Sequence, residues 1–212
     1  NEYVKALREY YFVGGMPESV MKFIETNDAI KVREVQNNIL YTYQKDISKH
    51  VPTSESNRIN MVWQSMPSQL VKENKKFIYG VTKPGGRAKD FEIAIQWLMD
   101  AGLVYKAERV NEAKMPLKFY VDISGFKLFL LDCGLLGAMS ETPPEKLLVA
   151  ENGMEESKGA FTENYVMSQL VATRDTSVFY YSNDAKLEID FLIQHGGEIV
   201  PIEAKAEENL RA

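Results

Sequence analysis

Four charged residues near the end of the chain have the types and the spacing to hold a divalent cation beside a phosphodiester. Asp190 lies in the segment EIDFLI, Glu203 and Lys205 follow in IVPIEAK, and Glu163 lies upstream in KGAFTENYV. Carboxylate oxygens hold Mg²⁺ or Mn²⁺, and the bound cation polarises a phosphodiester and lowers the pKa of a bound water. We therefore predict Asp190 and Glu203 as catalytic metal ligands. Glu163 is a third, supporting ligand, and Lys205 assists the attacking water.

One helix and three strands are predicted to position these residues. The segment KGAFTENYVMSQLVATR predicts a helix in which Glu163 shares the side of Val166 and Leu170, where a carboxylate is unexpected. A place in the first helical turn, where the helix dipole favours acids, is the alternative. The segments VFYYS, LEIDFLI and IVPIEAK predict three strands separated by turns.

The strand pattern predicts that the acids converge. Because side chains alternate along a strand, we expect Glu188, Asp190 and Leu192 on one face. Glu203 and Lys205 share a face of the next strand for the same reason. If the two polar sets point the same way, they meet beside the helix, and a cation or phosphate is the natural ligand.

Two interpretations without a metal stay open. A lysine flanked by acids also fits a buried ion-pair network in which the charges neutralise one another. An exposed hairpin is the other interpretation, although its apolar residues would still need a core on the opposite face. Metal binding separates these interpretations from the first, because a self-neutralised cluster has no need of a cation.

Residues 56–125 have the element order of a winged helix. The segment RINMVWQSMPSQL predicts one or two short helices interrupted by Pro67, and DFEIAIQWLMDAG predicts a longer helix that stops at Gly102. The segments LVYKAERV and LKFYVD predict two strands. The last helix and the hairpin of a winged helix contact nucleic acid, so Arg87 and Lys89 are the predicted nucleic-acid-binding residues and DNA the expected partner. A protein contact or a spacer role is the alternative.

Composition limits the partners and the compartment. The 212 residues are 45% apolar and 26% charged, which fits one large or two small soluble domains. With a net charge of −5, any contact with nucleic acid is expected to be local, weak or shared with another module. No apolar run approaches the roughly 18 residues that span a bilayer, and the lone Cys133 cannot form an internal disulfide. We therefore expect a cytoplasmic protein without membrane contact, with oligomerisation left open.

The order of helix-Glu, strand, strand-Asp and strand-Glu-x-Lys resembles the restriction-endonuclease-like nuclease core, written PD-(D/E)xK. The resemblance implies such a core over residues 126–212, with Glu163, Asp190, Glu203 and Lys205 in the nuclease-like positions. The nuclease core continues after its third strand with a helix and a strand, so we expect this copy to be incomplete. The fold class expected for the whole chain is α+β or α/β.

Nearly the whole chain also resembles the C-terminal region of a bacterial and archaeal family of predicted AAA+ superfamily ATPases. The matching stretches are YYFVGGMPE, YQKDI, MPSQL, GGRAKDFEIAIQWLMDAGLV, FKLFLLDCGLL, KGAFTENYV and EIDFLI…PIEAK. In that family an N-terminal P-loop ATPase domain precedes a winged-helix segment and a nuclease-like domain. The resemblance implies that residues 1–55 are the helical lid of an ATPase domain missing from this chain.

That missing domain would be the partner of this chain. It would also be the part that binds ATP, because no GxxxxGK[ST] loop occurs in this sequence. The expected function is that of a Mg²⁺-dependent nuclease-like part that binds or cleaves nucleic acid. The alternative is a non-catalytic DNA- or protein-binding scaffold or sensor that regulates the ATPase.

Overall fold

The computed structural model describes residues 2–72, 76–148, 155–173, 177–183 and 187–205. The helices in these ranges are α1 (Glu2–Val13), α2 (Pro17–Thr26), α3 (Ala29–His50), α4 (Thr53–Leu70), α5 (Tyr79–Thr82), α6 (Ala88–Asp100), α7 (Cys133–Met139), α8 (Pro144–Leu148) and α9 (Glu155–Thr173). The strands are β1 (Val104–Val110), β2 (Val121–Leu130), β3 (Phe179–Ser182), β4 (Glu188–His195) and β5 (Glu198–Ile202). The fold is α+β, as expected.

The Gly-Gly turn between α1 and α2 is fixed against the start of α7. Gly14 has a φ of +74°, and the Gly15 amide donates to Asp132 Oδ2 at 2.6 Å. Asp132 Oδ1 accepts from the Leu135 amide at 2.8 Å, so the same carboxylate also caps α7. The stretches YYFVGG and LLDCGLL therefore meet through one buried aspartate.

The order α4, α5, α6, β1, β2 agrees with the predicted winged-helix order, but the predicted break at Pro67 is wrong. Helix α4 runs unbroken from Thr53 to Leu70 with Pro67 inside it. Pro67 lies in the last turn, where a proline removes a single intrahelical hydrogen bond. Met66 and Leu70 are buried on either side of it, and this packing holds the helix together.

The predicted strand LKFYVD is wrong for its first four residues. Leu117–Tyr120 form a 3-10 helix, and β2 begins only at Val121. Leu117 is fully buried, and its amide donates to Gln194 Oε1 at 2.7 Å. The Gln194 side chain on β4 therefore accepts the hydrogen bond that the Leu117 amide would otherwise donate to a neighbouring strand.

The described strands form a single sheet in the order β2-β1-β3-β4-β5. Neighbours are antiparallel except β1 and β3, which are parallel. The hairpin of the winged-helix-like part thus shares a sheet with the three later strands. The predicted boundary between residues 125 and 126 lies within β2. Strand β5 is at one edge of the described sheet, where Pro201 is tolerated because one side of the strand needs no partner.

A bulge in β4 changes which side chains share a face. Phe179 is opposite Leu192 and Tyr181 is opposite Ile189, so β4 has one more residue than β3 over this interval. Ile189 therefore packs with Leu192 in one apolar cluster. Glu188 lies on the other face of the sheet, so the prediction that Glu188 and Leu192 share a face is wrong.

Helix α9 covers the face of the sheet that carries Phe129 and Phe191. These two rings lie 5.4 Å apart and belong to the same core cluster as Phe161 and Met167 of α9. No helix in the described part of the chain is long and apolar enough to cross a bilayer.

Candidate functional site

A lysine lies buried between two glutamates where α9 packs on the sheet. Lys127 of β2 is 1% exposed, and its Nζ is 2.6 Å from Glu188 Oε1 and 3.8 Å from Glu163 Oε2. The same ammonium lies 4.9 Å from the centre of the Tyr180 ring. Strands β2, β3 and β4 and helix α9 thus each contribute one residue to this cluster, which we call the Lys127 cluster.

Glu163 is held in the Lys127 cluster by its neighbour in sequence. Asn164 is fully buried, and it makes two hydrogen bonds to β2: the Leu130 amide donates to Asn164 Oδ1 at 2.7 Å, and Asn164 Nδ2 donates to the Leu130 carbonyl at 3.0 Å. These bonds fix the rotation of α9 about its axis. Glu163 is consequently 6% exposed and faces the sheet, which agrees with its expected place on the apolar side and not with the alternative of a place in the first helical turn.

The other three predicted residues meet at the ends of β4 and β5. Asp190 Oδ2 accepts from the Ala204 amide at 2.9 Å, and Lys205 Nζ is 2.6 Å from Glu203 Oε1. The ladder between β4 and β5 ends with Phe191 opposite Ile202, and Asp190 and Glu203 are the next residues beyond this pair. Glu203 and Lys205 lie beyond the end of β5 and are exposed.

The pKa shifts follow from these contacts. The hydrogen bond and the charge of Glu203 raise the pKa of Lys205, and the charge of Asp190 adds to the effect. Lys205 is therefore a stable cation at neutral pH and not a general base. Burial raises the pKa of Tyr180 to about 12, so its hydroxyl stays protonated.

The described residues do not fit the Mg²⁺ site that the nuclease resemblance implies. Glu163 lies beside Lys127, Glu203 is paired with Lys205, and Asp190 already accepts a backbone hydrogen bond. Within the described ranges no three His, Cys, Asp or Glu residues are grouped as metal ligands. Magnesium at these positions stays a prediction of the resemblance.

Lys127 was missed by the sequence prediction, although a signal for it exists. It stands in FKLFLLDCGLL, where every other residue from Phe126 to Leu131 is apolar. A cation inside such a run requires a buried anion nearby, because burying an isolated charge is very costly. The two acids that meet this requirement come from segments more than 30 residues away, which a local pattern cannot identify.

Arg87 and Lys89, the predicted nucleic-acid-binding residues, lie at the start of α6 and are exposed. The Arg87 amide donates to Asp90 Oδ2 at 3.0 Å, so Asp90 caps the helix and leaves the two basic side chains on the surface. Their predicted contact with DNA stays a prediction.

Fold and cluster together define an α+β protein in which α9 and the sheet enclose a lysine between two carboxylates. Residues 4–146 match the family model described as Domain of unknown function (DUF8612). This match covers more than half of the 212 residues, and the chain belongs to that family. Residues 158–212 match a second model, Domain of unknown function (DUF4143). No curated protein and no solved structure matches the chain.

Proposed function

We propose that this chain is a non-catalytic binding module of an ATPase-containing protein, and that its nuclease-like part is a scaffold. The observation that carries the proposal is the position of Lys127. Its ammonium is buried and lies 3.8 Å from the buried Glu163 and 2.6 Å from Glu188, which is partly exposed. The lysine supplies the positive charge that these acids would otherwise take from a metal ion.

The charge balance of the Lys127 cluster favours a structural role. Removing one partner of a buried ion pair strands the other charge and costs about 3–5 kcal/mol. Lys127 is 1% exposed, and the Tyr180 ring lies beside its ammonium, so the lysine has no solvated alternative position. Lys127 offsets one of the two carboxylate charges, so the cluster gains less from Mg²⁺, which dehydrates reluctantly, than two unpaired acids would.

The resemblance to the C-terminal region of predicted AAA+ superfamily ATPases supports the rest of the proposal. The first matched domain of unknown function, residues 4–146, spans the lid, the winged-helix unit and the start of the nuclease-like unit that this resemblance implies, and the second, residues 158–212, lies within the nuclease-like unit. The ATPase domain is then the partner in the same polypeptide, and the module contacts a further ligand through its surface.

A metal-dependent nuclease is the second candidate. It is favoured by one observation, the convergence of Asp190, Glu203 and Lys205 at the ends of β4 and β5. In this alternative Asp190 and Glu203 would hold the cation, which would polarise the phosphodiester, and Lys205 would stabilise charge on the phosphate.

Calorimetric titration of the chain with Mg²⁺ and Mn²⁺ tests the proposal. We expect no binding up to millimolar metal in a sample whose fold is checked by circular dichroism. Metal binding that disappears in Asp190→Ala would overturn the scaffold proposal and support the nuclease. The matched control is Asp46→Ala, which removes an exposed carboxylate from α3.

A further inference from the structure

A cavity of about 270 Å³ lies between α4, the turn before α6, and the first turn of α6 itself. Arg58 of α4 and Lys83 of the turn line it, together with Gly85, Gly86 and Phe91. The sequence KPGGRAK at this place has no role in the Lys127 cluster. It is also remote in sequence from Asp190, Glu203 and Lys205.

Two cations reach this cavity from different elements. Neither Arg58 nor Lys83 forms an ion pair with another residue in the described ranges. Asp90 is the acid in the lining, and its Oδ2 accepts the hydrogen bond from the Arg87 amide at 3.0 Å. The helix terminus is therefore already capped, and the positive charge of the cavity comes from the two side chains.

The glycine turn gives the cavity a preformed wall. The Gly86 amide donates to the Lys83 carbonyl at 2.8 Å, and Gly85 has a φ of +73°. A Cβ on Gly86 would lie 2.9 Å from both the Lys83 carbonyl oxygen and Phe91 Cε2. The turn is thus closed tightly on α6, and Phe91, which is 1% exposed, supports it from the core.

The unit that carries the cavity is basic, in contrast to the whole chain. Residues 56–125 contain eleven Lys and Arg residues and seven Asp and Glu residues, whereas the chain has a net charge of −5. The surplus attracts anions to this part of the surface. Arg87 and Lys89 are exposed beside the cavity and add to the local field.

We propose that this cavity binds a phosphate group, held by charge-assisted hydrogen bonds from Arg58 and Lys83. The volume is below the roughly 300 Å³ at which pockets for whole small molecules begin, so it suits one phosphate or a pyrophosphate. The lining carries two positive side chains and the one carboxylate of Asp90, so its net charge is positive and favours an anion that Arg58 and Lys83 approach from separate elements. The phosphate comes either from a small free compound or from the backbone of a nucleic acid, and the experiment distinguishes these sources. The proposal does not depend on the Lys127 cluster.

The experiment uses the wild-type chain with two probes, inorganic pyrophosphate and a mixed-sequence DNA duplex. Binding is followed through the amide resonances of Gly85 and Gly86 and by calorimetry at fixed salt. Arg58→Gln and Lys83→Gln are both exposed substitutions that leave the core intact, and each removes one charged donor. We expect each to weaken binding about tenfold, equivalent to about 1.4 kcal/mol, because each substitution removes one charge-assisted donor.

Lys31→Gln is the matched control, since it removes an exposed positive charge from α3 outside the cavity. Pyrophosphate binding lost in Arg58→Gln and Lys83→Gln but kept in Lys31→Gln supports the proposal with a small phosphate as ligand. Binding of the duplex alone, with the same dependence on the variants, supports it with a nucleic-acid backbone as source. Absence of binding by both probes, or equal weakening by Lys31→Gln, overturns it.

Discussion

Asn164 and Leu130 make the pair of hydrogen bonds that two neighbouring strands make. The Leu130 amide donates to the side-chain oxygen of Asn164 and its carbonyl accepts from the side-chain nitrogen, at 2.7 and 3.0 Å. A helix side chain thus satisfies the backbone of β2 where the ladder ends. Because both bonds are buried, they also fix Glu163, the preceding residue, against Lys127.

Replacing Asn164 with Ala should lower the free energy of unfolding by about 3 kcal/mol, because a buried amide and a buried carbonyl lose their partners. Urea unfolding monitored by circular dichroism measures the change. Asn57→Ala, an exposed change on α4, should alter stability by less than about 0.5 kcal/mol. Equal effects of the two substitutions would show that the Leu130 bonds contribute nothing.

Lys127→Met should lower the free energy of unfolding by about 3–5 kcal/mol, because it leaves Glu163 and Glu188 without their buried counter-ion. The triple variant with Glu163→Gln and Glu188→Gln should recover much of this loss, since it removes the stranded charges. Chemical unfolding of the wild type, Lys127→Met, the Glu163→Gln/Glu188→Gln variant and the triple variant closes the cycle and gives the coupling energy. Lys106→Met is the control, because its pair with Glu108 is partly exposed and should be worth less than about 1 kcal/mol. A triple variant no more stable than Lys127→Met would contradict the assignment.

Gly14→Ala should destabilise the fold more than Gly102→Ala. Both glycines have positive φ, +74° and +68°, so both substitutions carry the backbone cost of about 1–2 kcal/mol. Only at Gly14 would the new Cβ also lie 2.2 Å from Asp132 Oδ1, whereas at Gly102 no atom comes within 4 Å. Thermal unfolding of the two variants compares the effects. A lower melting temperature for Gly102→Ala than for Gly14→Ala would contradict the predicted clash with Asp132.

Asp132 should give the protein an unusual pH dependence. Burial raises its pKa above the ordinary value, although the amides of Gly15, Leu135 and Gly134 act in the opposite direction. The folded state therefore binds the proton more tightly than the unfolded state, and this residue stabilises the fold more as pH falls through its raised pKa. The stability advantage of the wild type over Asp132→Asn should widen between about pH 7 and pH 4. Urea unfolding of both proteins across that range measures the difference in their free energies of unfolding. A difference that narrows as the pH falls would contradict the raised pKa of Asp132.

The local elements could be predicted from the sequence because their signals are local. The spacing of residues predicts three such features: the Gly14-Gly15 turn, Pro17 at the start of α2, and the apolar side of α9. Burial of Glu163 was one of the two expectations that its helical position allowed. The strands β3, β4 and β5 were likewise predicted in the right order.

The Lys127 cluster could not be predicted, because it depends on pairings that local patterns do not contain. Strand β2 reaches the later strands through β1, whose parallel pairing with β3 joins residues about 70 positions apart. The bulge opposite Phe179 and Tyr181 then turns Glu188 toward Lys127. Strict alternation, the rule available from sequence, places Glu188 on the wrong face.

The three residue pairs between β1 and β3, from Glu108 with Phe179 to Val110 with Tyr181, have a practical consequence for truncation. A cut between residues 146 and 158, the interval between the two matched families, would strip β1 of a neighbour and expose the Phe129 ring that contacts Phe191. The N-terminal fragment would then present an open strand edge and an apolar sheet face, which is a template for self-association. Expression of both segments as one polypeptide is the way to keep either of them soluble.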